Sequence, residues 1–547
     1  MPNLFSPFAK TILEQKYSHI LADGSMENWE QISHRVATNV MKAVDAPKPM
    51  IKEIEQLIAD RKFIPGGRYL YASGRALHQV QNCLLLRAED SREGWADLLQ
   101  KTAMALMTGA GIGVVYSDIR AEGKPIRKTS GTATGPLALM QMLNEIGRGI
   151  MQGGSRRSAI WAGLHWNHPD IQKFVSLKDW IPEVRELKAR DFNFPAMMDG
   201  TNISVILDDD FFASYNNEKH KQHTLAQSVY WSVCKKMMKT GEPGFSVDCG
   251  ANRGENLRNA CTEICSKDDS DICNLGSINM ARIGSIEDMA RCVRLGTAFL
   301  LAGTVYSDVP YPQVDKVRNK NRRLGLGLMG VHEWLLKRKK RYGPDPELEE
   351  YLKVYATSGD TANEFASEWE ISKPVKTRAI APTGTIGILA ETTTGLEPLF
   401  CVAYKRRYQK GSLTQYQYVV DPTAKRLIDS GIEPDAIEDA YVLADDVERR
   451  VAFQAWVQRY VDHCISSTIN LPAWGSELNN ENRVQTFGNM LIKHLPNLRG
   501  ITCYPEGGRD GQPLTPVKYS TAEKHLGEVF YEQADQCSIT KGGTCGA

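Results

Sequence analysis

Apolar residues recur at three- and four-residue spacing through 27–44 and again through 50–62, which predicts a helical N-terminal segment over residues 1–62. A breaker cluster, Phe63-Ile-Pro-Gly-Gly-Arg68, ends that pattern, and an irregular stretch leads to a short apolar strand at 82–86. Ser91 and Glu93 then open a helix over 91–107, with the acid in its first turn. From there strands and helices alternate. Strands are expected at 114–117, 158–165, 202–207, 244–249, 377–381 and 500–504. Helices are expected at 136–152 and near 285–304, 361–370, 447–466 and 482–495. Alternation on this scale predicts an α/β fold with its active site at the strand ends. One more helix, over 521–534, precedes a glycine-rich tail. The chain thus divides into a helical segment (1–62), an α/β body (63–517) and a C-terminal helix with tail (518–547).

Composition narrows the classes. A chain of 547 residues holds one large enzyme domain or about two to three ordinary ones. Lys+Arg 66 against Asp+Glu 65 argues against wholesale binding to nucleic acid or a membrane surface. No apolar run reaches the roughly 18–20 residues that span a bilayer. The first residues show no basic segment followed by an apolar one, so a cytoplasmic location and mostly reduced cysteines are expected. Of the 12 cysteines, Cys234, Cys292, Cys401 and Cys464 lie in apolar or helix-like runs and read as buried fillers. Cys249 and Cys503 end strand-like runs.

Gly109-Ala-Gly-Ile-Gly113 suggests a dinucleotide-binding turn, but that motif needs a strand before the glycines and a helix after them. Here the order is reversed, and a tight helix-to-strand turn fits better.

Chemistry concentrates in Asn259–Met280. In an extended segment Asn259, Cys261 and Glu263 would share one face, giving an amide, a thiol and an acid in a row. Cys265 and Cys273 follow. Their intervals lack the paired short spacings of a zinc site, so no metal is expected. Pro382-Thr-Gly-Thr-Ile386 suits a phosphate cradle, with threonine hydroxyls and closely spaced N–H groups at a strand-to-helix turn. An ordinary threonine-capped turn is the other reading of that loop.

Asn82-Cys83, Asn259-x-Cys261-x-Glu263, Cys273-Asn-Leu-Gly-Ser-Ile-Asn279, Arg322–Gly330, Ala381–Gly387, Gln152–Arg157 and Arg499–Glu506 together resemble the catalytic subunit of ribonucleotide reductase. The resemblance runs in order from about residue 62 to 515. It implies a ten-stranded α/β barrel, two five-stranded halves around the Cys261 loop, that reduces ribonucleoside di- or triphosphates. By resemblance Cys261 is the thiyl site, Glu263 the general base, Asn259 the group that orients the sugar, and Cys83 with Cys273 the reducing pair. Pro382, Thr383, Gly384, Thr385 and Ile386 would hold the substrate phosphates. Asp90, Ser91, Arg120 and Arg156 would bind a dNTP effector, with solvated basic turns as the alternative.

Cys537 and Cys545 resemble a swinging pair re-reduced by thioredoxin or glutaredoxin, although they stand farther apart than is usual in that family. About 60 residues precede the body, so no ATP-binding cone is expected. The place near the thiyl cysteine that carries a Tyr–Tyr pair in enzymes fed by a partner subunit reads Thr502-Cys503-Tyr504-Pro505. That looks like the adenosylcobalamin-dependent branch. A relay through Cys503 and Tyr504 to a separate metal-containing, radical-generating small subunit is the alternative, in which case this chain holds no cofactor. A homodimer is compatible with either. A nucleotide-binding protein without catalysis is the reading from another class. Cys265 receives no role.

Overall fold

The structure is a computed structural model that describes residues 5–127, 130–152, 156–191, 194–250, 253–410, 413–507 and 514–531. Three helices, Pro7–Lys16, Trp29–Lys42 and Lys48–Ala59, form the N-terminal segment. Asn28 opens the second with a capping box to Gln31, as its sequence position suggests. The breaker cluster at 63–68 is more ordered than expected: Phe63–Pro65 adds a strand against 276–278, and Gly67–Ala72 is a short helix.

Ten strands form one sheet. Cys83–Arg87, Gly111–Val115, Ile160–His165, Thr201–Asp208 and Gly244–Asp248 run parallel to one another in that order. Gly500–Pro505 and Thr468–Leu471 are mutually parallel, as are Asp271–Asn279 and Leu324–Met329. The two sets join antiparallel at both seams, 244–248 with 500–505 and 83–87 with 271–279. Bridges from Leu326 to Arg378 and from Ile380 to Ile465 carry the second set back onto itself, so the sheet closes into a barrel of two parallel halves.

Side chains alternate across the barrel wall. Leu84 and Leu86 pack outward with helices such as Arg92–Thr108 and His223–Thr240. The second half packs outward against the N-terminal helices and the buried helix Ile286–Tyr306. Cys83, Leu85, Val115, Trp161, Ile206 and Cys273 turn inward, where Leu257 and Ile264 meet them.

Several expectations shift. The 377–381 segment makes single bridges, not a regular strand. The helix near 447–466 stops at Gln458. The helix expected over 521–534 is only Tyr519–Lys524; Gly527, at φ 84°, turns the chain into the strand Val529–Tyr531. An unanticipated hairpin, Ala403–Lys410 with Leu413–Val420, binds that strand and Leu514–Pro516. Gly109 has φ 100°, in keeping with the helix-to-strand turn.

Candidate active site in the barrel

Asn259, Cys261 and Glu263 do not share the face of a strand. They lie on the turn of a small hairpin in which Leu257–Arg258 pairs antiparallel with Cys265–Ser266. Thr262 takes φ 67° and donates its N–H to the Asn259 carbonyl at 3.0 Å, which folds the row back on itself. Asn259 and Glu263 are thereby buried at the base, while Cys261 is exposed on the turn. The hairpin enters the barrel beside Gly113. A Cβ there would stand 1.9 Å from the Arg258 carbonyl oxygen, so the glycine permits the close approach.

Asn259 stitches the turn. Its Nδ2 donates to Glu263 Oε1 at 2.9 Å, and its Oδ1 accepts the Ile264 N–H at 3.0 Å. Both ends of the amide therefore serve the loop. The Cys83 thiol points at the same Glu263 Oε1, 3.8 Å away. Glu263 Oε2 is buried without a hydrogen-bond partner among the described residues. Burial pushes the Glu263 carboxyl up to about 7, against the hydrogen bonds from Asn259 and Cys83.

Cys83 and Cys273 are register partners across the seam between the halves. Opposed residues in an antiparallel pair have Cα atoms roughly 4.5–5.5 Å apart, inside the range that a disulfide requires. Burial raises the Cys83 thiol well above its usual range, and the charges of Glu263, Cys273 and Cys261 add to that rise. Cys273 is raised likewise, by burial and then by Asp271. Both are thiols at neutral pH and can donate protons as well as electrons. Among the described residues no group of three or more His, Cys, Asp or Glu side chains is arranged to hold a metal ion.

A family model described as "Ribonucleotide reductase, barrel domain" matches residues 81–228, 211–368 and 375–495, and one described as "Ribonucleotide reductase, all-alpha domain" matches residues 3–78. The chain belongs to the ribonucleotide reductase family. It is 27% identical to a vitamin B12-dependent ribonucleoside-diphosphate reductase of Thermoplasma acidophilum, over 96% of this chain and 74% of that protein. A protein of Mycobacterium phage D29, named as an adenosylcobalamin-dependent ribonucleoside-triphosphate reductase, is 24% identical over 97% of both chains. A ribonucleoside-diphosphate reductase large subunit of Plasmodium falciparum is 24% identical over 70% of this chain and 52% of that protein.

The other positions that the sequence suggested for a ribonucleotide reductase lie on separate elements or outside the described residues. Thr383, at φ 52°, precedes the helix Gly384–Ala390 and does not cap it. Its hydroxyl instead accepts the Gly395 N–H at 2.7 Å and pins the loop. Pro382 and Gly384 are exposed, Thr385 is half-buried and Ile386 is buried. Arg120 pairs with Asp90 at 2.8 Å, and Ser91 caps the helix Arg92–Thr108 by accepting the Gly94 N–H at 2.9 Å. Arg156 lies in the small hairpin that pairs Met151–Gln152 with Arg156–Arg157. Cys503 is buried in the outer apolar core, and Tyr504 lies against Gly241. Cys537 and Cys545 lie outside the described residues.

Sequence reasoning missed the polar layer behind the hairpin. Arg323 donates to Asp271 at 2.5 Å and to Glu255 at 3.1 Å, and Glu255 also pairs with Lys376. Arginines 323 and 499 sit within or at the head of the motifs quoted above, which was the available signal. Cys234 and Cys292 are apolar-core fillers as expected. Cys464 is not, for its surroundings are those charged groups and not an apolar cluster.

Proposed function

We propose that this chain reduces ribonucleoside di- or triphosphates to 2′-deoxyribonucleotides by thiyl-radical chemistry at Cys261. One observation carries the reading: two thiols face each other across a strand pair, beside a buried carboxylate with one unpartnered oxygen. As a thiyl, Cys261 takes the ribose 3′ hydrogen. Glu263 Oε2 accepts the 3′-OH proton; a carboxyl that titrates near neutrality serves both as acceptor and as returning donor. One of Cys83 and Cys273 protonates the departing 2′-OH, which leaves as water. The two sulfurs supply two electrons and end as a disulfide, and the hydrogen of the second thiol ends on C2′ in place of the lost hydroxyl. Cys261 then returns the 3′ hydrogen and is again a thiyl.

The loop 382–386 takes the substrate phosphates on the N–H groups of an uncapped helix end. Asp90, Ser91, Arg120 and Arg156 take a dNTP effector, and the body pairs as a homodimer. Cys537 and Cys545 carry reducing equivalents from thioredoxin or glutaredoxin to the Cys83–Cys273 disulfide.

Adenosylcobalamin, when bound, supplies the radical directly. The fit rests on the exposure of Cys261 on the turn of the hairpin. Tyr504 and Glu506, which line a cleft with Tyr441 and Asn470 at the ends of two barrel strands, are the residues that would meet the cofactor. The second reading, a large subunit fed by a ferritin-like partner, is favoured by the adjacency of Cys503 and Tyr504 and the likeness to the Plasmodium large subunit. The test is purified chain alone with adenosylcobalamin, a ribonucleotide and dithiothreitol. Deoxynucleotide formation supports the cobalamin reading. Silence that a radical-generating partner protein relieves overturns it in favour of the second.

A further inference from the structure

The hairpin that carries Glu263 is held along its return side by residues 462–466. The Cys464 N–H donates to the Glu263 carbonyl at 2.8 Å. The Cys265 N–H donates to a side chain, Nδ1 of His463, at 3.2 Å, and the Cys265 sulfur lies 3.4 Å from the same nitrogen. Cys265 and His463 are both buried. A ring nitrogen that accepts a backbone N–H carries no proton, so this imidazole is neutral with its hydrogen on Nε2. Burial pushes it down to about 4, against Cys265 and together with Arg323 and Lys376. Glu255, paired with Lys376, also faces the ring.

The same segment is fixed to the barrel on its other side. The His463 N–H donates to the Arg378 carbonyl at 3.0 Å, and the His463 carbonyl accepts Gln458 Nε2 at 2.9 Å. The Asp462 carboxylate accepts the N–H groups of Thr377 and Arg378 at 3.1 and 2.8 Å. The Ile380 N–H donates to the Cys464 carbonyl at 3.2 Å, and the Ser466 N–H to the Ile380 carbonyl at 2.9 Å. Residues 377–380 run directly into the 382–386 loop. One short segment therefore bonds the proposed general base on one side and the approach to the proposed phosphate loop on the other.

We propose that His463 is a positioning residue: its bare Nδ1 anchors the return strand of the hairpin and thereby fixes Glu263 relative to the 382–386 loop. This rests on the reading of Glu263 as general base. A base must stand within hydrogen-bond reach of the proton that it takes, and a misplacement of about 1 Å costs on the order of 10²-fold in rate. Without the ring the Cys265 N–H is a buried donor with no acceptor, and the return strand shifts to satisfy it. The requirement is for an acceptor at one place. Asparagine sets its Oδ1 as many bonds from the backbone as Nδ1 and can supply that acceptor, whereas glutamine puts a carbon there.

The experiment compares the full wild-type chain with His463→Asn and His463→Gln. Hydrogen exchange of a peptide covering 257–266 is read by mass spectrometry, with strand 83–87 as folding control, and deoxynucleotide formation is measured with the radical source that supports wild type. The asparagine variant should exchange its hairpin amides within about threefold of wild type, and the glutamine variant at least about tenfold faster. The asparagine variant should also keep kcat within about threefold, while the glutamine variant loses at least about tenfold in kcat with KM within about twofold, because its phosphate loop is intact. The ascending limb of its pH profile should move down toward the ordinary carboxylate range as Glu263 becomes wetter. His463→Ala, which lacks the acceptor and adds no bulk, takes the place of a glutamine variant that does not fold. Equal hairpin exchange in the asparagine and glutamine variants, or equal turnover by them, overturns the proposal. If wild type makes no deoxynucleotide, the function proposed above falls, and the exchange comparison alone decides the anchor.

Discussion

Cys83 and Cys273 are direct cross-strand partners on the seam where the two halves of the barrel run antiparallel. Parallel strands within each half are joined through helices, so this seam is where two inward-facing residues far apart in sequence are held in register by backbone hydrogen bonds alone. The Cα spacing of such a pair falls within the range that a disulfide requires. Glu263, carried on the hairpin 257–266, sets its Oε1 3.8 Å from the Cys83 sulfur and is the group proposed above as the acid–base partner of the substrate.

That geometry fixes what Glu263→Gln should do. Loss of a positioned general base costs about 10²–10⁴-fold in turnover. The wild-type kcat/KM should rise with pH through about 7, the value to which burial lifts this carboxyl, and the variant should lack that limb. Stability moves the other way. Between about 4.5 and about 7 the native state holds a proton that the unfolded chain has lost, so stability falls as pH rises through that window. The shift corresponds to a cost on the order of 3 kcal/mol above pH 7. Glu263→Gln should therefore unfold at a higher temperature than wild type in mildly alkaline buffer and lose the advantage in acid. A variant that keeps the ascending limb would exclude Glu263 as the base.

Gly113→Ala probes the path of the hairpin. The new Cβ would meet the Arg258 carbonyl at 1.9 Å, and neither backbone segment can retreat without leaving its strand pairing. Overpacking of this kind costs about 1–3 kcal/mol. Turnover should fall at least tenfold in protein that is still folded, because the displaced segment carries Asn259 and Glu263. Thermal unfolding and a deoxynucleotide assay on the same preparation check both parts.

Much of this was legible in the sequence, and for physical reasons. The glycines at 109–113 marked a helix-to-strand turn, the apolar run at 82–86 marked a strand, and the amide, thiol and acid at 259–263 pointed to chemistry. What stayed hidden depended on partners distant in the chain. The row at 259–263 reads as extended until Thr262 takes a positive φ and its N–H bonds back to the Asn259 carbonyl. Cys464 reads as filler until Arg258, Arg499 and Lys376 converge on it from separate elements. The 403–420 hairpin carries the alternating Tyr416 and Tyr418 that a period-two search would find, yet its charged residues obscured the pattern.

Asp271 anchors the polar layer from within the wall. Its Oδ2 accepts from Arg323 Nε at 2.5 Å, Ser266 Oγ at 2.7 Å and Asn321 Nδ2 at 2.8 Å, all buried. Breaking a buried ion pair by removing one partner costs about 3–5 kcal/mol. Asp271→Asn should lower stability by that amount in a denaturant titration, whereas exposed pairs such as Arg92–Glu93 should give nothing measurable when removed.

The tail cysteines make a prediction that separates relay from chemistry. Cys537→Ser should stop turnover supported by thioredoxin or glutaredoxin and leave turnover with a small dithiol within about twofold of wild type, since a small reductant reaches the Cys83–Cys273 disulfide directly. Equal loss with both reductants would remove the shuttle from the account.

The most direct test of thiyl chemistry on the hairpin compares wild type with Cys261→Ser, supplied in turn with adenosylcobalamin and with a radical-generating partner protein. Deoxynucleotide formation and nucleotide binding are measured on each. The account predicts that wild type makes deoxynucleotide with at least one radical source, and that the serine variant makes none with either while binding nucleotide as tightly. Turnover by the variant at more than a few percent of the wild-type rate, or no product from wild type with either source, would contradict it.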